Sequence, residues 1–234
     1  MSTPPVLEIA GVVKSYGALR PLRLQALTLA PGERVTIAGL DPTAAELFVN
    51  LVTGASLPDA GHIRNFGRST ADITDADEWL GSLDRFGIVT DRGVLLEGAT
   101  LAQNLALPFG LEIDPIPAQV RQRVAALARE CGIASDWLEQ PAGGLPPVVK
   151  ARTHLARAVA LGPTLLLLEH PTASLDQADR TPFGLDAARV CESRTLSAVA
   201  LCADAEFGAA FAHRSLTLEP ATGALVAPKR RWLW

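Results

Sequence analysis

Leu165-Leu-Leu-Leu168 is the segment that most restricts the fold of this chain. Four consecutive leucines leave no polar face, so the run reads as a strand buried on both sides, the setting of a parallel sheet. Pro163 breaks the preceding helical pattern, and Glu169-His170-Pro171 ends the apolar run. Leu196 to Cys202 reads as a second buried strand, and Glu33 to Gly39 as a third that ends in glycine. After Gly39 comes a short loop, Leu40-Asp-Pro-Thr43. A helix follows over Ala44–Thr53, with Leu47, Phe48 and Leu51 on one face and Gly54 as its stop. Strand, glycine, loop and helix in that order are the layout of a phosphate-binding α/β unit.

The rest of the chain fills in around these segments. Val6–Ile9 and Leu24–Leu29 read as strands, Asp75–Leu83 as a helix and Gly87–Thr90 as a further strand. Thr100 is an N-cap candidate, and Pro108, Gly110, Pro115 and Pro117 repeatedly break the chain beyond it. Ala118–Cys131 is amphipathic, with Val120, Val124, Leu127 and Cys131 on one face and Gly132 behind them. This middle stretch reads as a helical insert. Ala151–Leu161 reads as helix, and Ser215–Leu218 with Gly223–Leu225 as a closing hairpin.

Composition narrows the function classes. The 234 residues are 48% hydrophobic and 20% charged, which excludes disorder, and no apolar window is long enough to span a bilayer. A net charge of −4 argues against nucleic acid as a partner. The start, Met1-Ser-Thr-Pro-Pro5, carries no secretory pattern. Three cysteines without metal-ligand spacing (Cys131, Cys191 and Cys202) read as inert buried thiols in a cytoplasmic chain. Only Lys14, Lys150 and Lys229 are lysines, and Tyr16 is the single tyrosine.

Pro163-Thr-Leu-Leu-Leu-Leu-Glu-His-Pro-Thr-Ala-Ser-Leu-Asp176 resembles the Walker B and D-loop segment of ABC-type ATPases, P-x-L-L-L-L-D-E-P-T-x-x-L-D. Lys14-Ser-Tyr-Gly17 resembles the adenine-stacking loop, and Leu57-Pro-Asp-Ala-Gly61 the stretch after the first helix. Ala156-Arg-Ala158 resembles the end of the signature helix. The Thr-His-Asp switch aligns with Cys202-Ala203-Asp204. The resemblance implies an α/β fold: a P-loop NTPase (RecA-like) core with an antiparallel β subdomain and an inserted helical subdomain. It implies one nucleotide-binding domain over 1–234, with core and β subdomain at about 1–90 and 160–234 and the helical subdomain at about 91–159. ATP and Mg²⁺ are the cofactors it implies.

The family's phosphate chemistry is altered at each motif. Where the family reads G-x-x-x-x-G-K-[ST], this chain reads Gly39-Leu40-Asp41-Pro42-Thr43-Ala44-Ala45-Glu46, followed by Leu47. The phosphate-neutralising lysine is absent, a carboxylate replaces the metal-holding hydroxyl, and Pro42 removes a backbone donor. The Q-loop glutamine aligns with Asp91, the Walker B aspartate with Glu169 and the general-base glutamate with His170. The switch histidine aligns with Ala203. The signature L-S-G-G-Q aligns without gaps on Leu145-Pro146-Pro147-Val148-Val149; a gapped reading uses Ala142-Gly-Gly144 instead. Ser174, Leu175 and Asp176 keep the D-loop.

Glu46, Asp91 and Glu169 are expected to converge without a P-loop lysine. ATP would then meet like charge worth about 1–4 kcal/mol per close pair, and retention of ATP and Mg²⁺ is argued against. The same three carboxylates, if ionised, suit a divalent cation without nucleotide. Tyr16 is an adenine-stacking position or an ordinary half-buried aromatic; His170 is a relict base or a strand-end residue. Thr100–Phe109 keeps the family's T-x-x-x-N-x-x-L-P pattern, which resembles the groove for a transmembrane subunit, or else is a packed helix of the insert. The tail Lys229–Trp234 combines three cations with two tryptophans and suits a headgroup interface or a partner.

The expected role is a degenerate ATP-binding subunit of an ABC transporter, peripheral on the cytoplasmic face of the cell membrane. Its expected partners are a transmembrane permease and a second nucleotide-binding subunit, in a homo- or heterodimer. Two alternatives stand beside it: a non-catalytic structural or regulatory module, and a divergent active ATPase with His170 as base and Glu169 toward the metal.

Overall fold

Alternating apolar residues set the first sheet. Strand β1 (Leu7–Lys14) pairs antiparallel with β2 (Leu22–Leu29) on one side and with β4 (Ala60–Asn65) on the other, and β5 (Arg68–Ser69) extends β4. The computed structural model describes residues 4–90 and 92–228. The second sheet has six strands in the order β10 (Ala224–Val226), β9 (Arg214–Glu219), β3 (Arg34–Ala38), β8 (Ser197–Leu201), β7 (Leu165–Glu169) and β6 (Phe86–Val89). All neighbours in it are parallel except the β9–β10 hairpin.

The leucine run behaves as its sequence requires. Leu165 and Leu167 join one hydrophobic cluster, with Val199, Leu201 and the buried face of α1 (Pro42–Thr53). Leu166 and Leu168 point the other way, into a cluster shared with Ala198, Ala200 and the helices between and after β6 and β7. The period-two alternation of the strand thus divides the interior into two layers, one on each face. The first layer also takes the buried side of the antiparallel sheet, through Leu7, Ile9, Leu24 and Leu29.

Between β6 and β7 lie α3 (Leu101–Ala106), α4 (Ala118–Glu130) and α5 (Pro147–Val159). Thr100 caps α3 in a reciprocal capping box with Gln103, as its sequence position predicts. Helix α5 starts four residues before the expected Ala151. The reason is Pro147 at its first position, where a missing N–H costs no helical bond. The remaining helices are α2 (Ala76–Leu83), α6 (Gln177–Arg194) and α7 (Ala205–Phe211). Among the described residues no helix is long and apolar enough to cross a membrane. All three cysteines are free and buried, and burial pushes the Cys131 and Cys191 thiols up to about 12.

Candidate functional site

The site is built where β3 hands the chain to α1. Gly39 adopts φ +92°, and a Cβ there would lie 2.9 Å from the Leu218 carbonyl oxygen of β9. Only glycine fits this turn. Leu40 is buried and anchors the loop in the core. Asp41 then caps α1: its Oδ1 accepts from the Ala44 backbone N–H at 2.8 Å, and its carbonyl accepts from Ala45 N–H at 2.8 Å. Pro42 opens the helix and Thr43 is exposed. Ala44, Ala45 and Leu47 face the core, which leaves Glu46 pointing outward with its side chain 48% exposed.

Glu169 ends β7 with its side chain only 3% exposed. A buried carboxylate needs a partner, and Arg92 supplies it. Arg92 Nη2 donates to Glu169 Oε2 at 2.8 Å, while Nη1 pairs with Glu46 Oε2 at 2.5 Å. The hydrogen bond to Glu46, with Glu169 beside it, holds the guanidinium pKa above its ordinary value. Glu46 and Glu169 are therefore brought together as expected, but the expected uncompensated charge is corrected: a cation from the loop after β6 lies between them. Asp91 lies outside the described residues, as does the tail 229–234. Among those described, no group of three or more His, Cys, Asp or Glu is arranged to hold a metal.

Next to Glu169, His170 takes φ +44° and its N–H donates to the Leu201 carbonyl at 3.0 Å. Its Nε2 is buried without a hydrogen-bond partner among the described residues. The ring lines a cleft of about 360 Å³ together with Ser174, Lys150, His154 and Gly93. Burial and the Arg157 guanidinium hold the His154 pKa below the ordinary histidine range. Leu175 is buried, whereas Ser174 and Asp176 are exposed ahead of α6. Ala203 is exposed after β8, beside Asp204, which caps α7 and pairs with Arg180 at 3.0 Å.

Leu145 is buried, and Pro146 and Pro147 open α5 with Val148 and Val149 in its first turn. Neither proline has an N–H to offer at that helix start. Tyr16 is half-buried, and burial, then the Asp41 carboxylate, raise its pKa. Asp59 pins that loop, accepting from Ser15 N–H at 2.8 Å and from Lys14 Nζ at 2.9 Å. Arg92 is the residue that sequence reasoning missed. Its one signal was a cation directly after the Q-loop position.

No protein-family model matches the sequence. The lipoprotein-releasing system ATP-binding protein LolD of Maricaulis maris is 32% identical over 175 residues, 73% of this chain and 76% of that protein. The methionine import ATP-binding protein MetN of Brucella abortus is also 32% identical, over 75% of this chain. The match spans 47% of MetN, so this chain covers about half the length of that relative. Among solved structures, cbiO1 from Clostridium perfringens, part of the ABC transporter complex cbiONQ, superposes with a TM-score of 0.79 at 17% identity. That superposition covers 96% of this chain and 88% of cbiO1. The dimeric bacterial ABC transporter cassette MJ0796 gives 0.74 at 21% identity, over 92% and 95%. The P-loop NTPase fold is thus shared with these cassettes, and with a relative matched along most of both chains, this chain belongs to the family of ABC transporter ATP-binding proteins.

Proposed function

We propose that this chain is a degenerate cassette subunit of an ABC transporter, with weak or absent ATP binding and no useful hydrolysis. The observation that carries the reading is at the start of α1. A phosphate would need the free amides and positive dipole end of that helix, and the Asp41 carboxylate already accepts from Ala44 N–H there. Ala44, Ala45 and Glu46 bring neither a lysine nor a hydroxyl. The residues present do not fit a metal–nucleotide pair. The His170 Nε2 is buried without a partner among the described residues, so a base role would fall to the other ring nitrogen. The two prolines that open α5 weaken the signature position in the same sense.

One domain with the helical subdomain at about 91–159 accords with the run of helices between β6 and β7. The docking role, to a transmembrane permease from the cytoplasmic side, draws on a groove of about 320 Å³. It is lined by Ile88, Leu107, Pro108 and Arg157, beside the retained Thr100–Phe109 pattern. Pairing with a second cassette subunit is read from the family, whose cassette MJ0796 is dimeric.

Titration of the purified chain with a fluorescent ATP analogue and Mg²⁺ tests the reading. No saturation is expected up to about 1 mM nucleotide; a sub-micromolar Kd overturns it. A parallel turnover assay separates the readings further: hydrolysis that His170→Ala abolishes would establish the divergent ATPase. An Ile88→Arg variant that co-purifies with the permease as well as wild type would remove the docking role.

A further inference from the structure

We infer that Arg92 is a resident cation: its guanidinium holds the place between Glu46 and Glu169 that a small divalent metal would otherwise take, and closes the corner to it. The inference deepens the reading of an impaired cassette and rests on it. Three segments far apart in sequence meet at this one side chain. Glu46 comes from the first turns of α1, Glu169 from the end of β7, and Arg92 from the loop after β6.

The fork is built rather than casual. Each outer nitrogen takes one carboxylate, Nη1 at 2.5 Å and Nη2 at 2.8 Å. The inner Nε donates to Thr90 Oγ1 at 3.3 Å, and the Arg92 backbone N–H donates to the same oxygen at 3.3 Å. Gly93 N–H donates to the Thr90 carbonyl at 3.1 Å, which tightens the turn that aims the side chain. A planar guanidinium holds its donors in a fixed fork, so it meets two carboxylates at once in one set geometry.

Charge explains why the arrangement excludes a metal. Two hard carboxylates facing one point are a start on a Mg²⁺ or Mn²⁺ site. With Arg92 between them the pair is left with one net negative charge, and an entering dication would meet a cation already bonded to both oxygens. The dication must expel Arg92 first, and Glu169, at 3% exposure, would have to exchange partners away from solvent.

Manganese alone, without nucleotide, is the probe. Free Mn²⁺ is followed by its electron paramagnetic resonance signal in the presence of wild type, Arg92→Ala and the double variant Arg92→Ala/Glu46→Gln. Wild type is expected to leave the signal unchanged. Arg92→Ala is expected to bind at least about tenfold more tightly than wild type. The double variant is expected to lose that gain. Should Arg92→Ala not fold, Arg92→Gln keeps the first part of the side-chain stem and removes the charge, with the same gain expected. Equal binding by wild type and the charge-neutral variant overturns the inference, as does a gain that survives Glu46→Gln. Because no nucleotide is present, tight ATP binding by wild type would sink the functional reading independently of this result.

Discussion

Two corners of the molecule, the α1 N-terminus and the turn from Leu96 to Asn104, satisfy their polar groups in opposite ways. At the turn, Asn104 is fully buried; its Oδ1 accepts from Leu96 N–H at 2.8 Å, and its Nδ2 donates to the Leu96 and Thr100 carbonyls at 3.1 and 3.0 Å. These are backbone-directed bonds that shape a loop. At α1, the partners are side chains standing where a ligand would stand: Asp41 on the helix amide and Arg92 between two carboxylates. The difference teaches that a helix start and a buried carboxylate can be satisfied by side chains, the carboxylate's from a distant segment, whereas a loop is shaped by bonds directed at its own backbone.

The largest expected effect lies at the turn. Asn104→Leu strands the Leu96 N–H and takes one of two donors from each of the Leu96 and Thr100 carbonyls, which keep the Ala99 and Asn104 backbone N–H groups. A loss of about 2 kcal/mol is expected in urea unfolding. A loss under about 1 kcal/mol would mean that water reaches the turn and that the contrast between the corners is false. Asp41→Ala removes only a cap, at an expected cost of about 1 kcal/mol, while Asp41→Asn should cost a few tenths. If Asp41→Ala instead stabilised the chain in inorganic phosphate, the helix start would still be a working anion site.

The smallest effect is a pH dependence in the cleft that His154 lines. The His154 pKa is lowered in the folded chain by burial and then by Arg157, so the unfolded chain binds the proton more readily. Stability therefore falls as pH drops below about 6.5. The melting temperature of wild type should fall more between about pH 7.5 and 5.5 than that of His154→Asn. Equal falls would place the acid sensitivity elsewhere.

Most of the architecture was legible because local rules and tertiary packing agree. The leucine run, the stop at Gly54 with φ +76° and the cap at Thr100 all sit where pattern reasoning puts them. Strand β4 was harder: Ile63 is its one buried apolar residue, so pairing with β1 rather than its own pattern makes it a strand. The helical pattern was read only from Ala151, whereas α5 opens at Pro147, where a missing N–H costs no helical bond. Of the site, the missing lysine and the foreign carboxylates were plain in sequence. The Arg92 fork was not, since its partner Glu169 lies 77 residues away and no spacing rule connects them.

Gly39 carries a consequence for how such loops are read. The Leu218 carbonyl oxygen lies where a Cβ on this residue would come within 2.9 Å of it, with or without anything bound. Its survival is thus a matter of how the hairpin lies across the loop, and selection for shape alone would keep it after every phosphate contact had drifted away. A glycine at such a bend testifies to the path of the chain; testimony about cargo has to come from the charged neighbours.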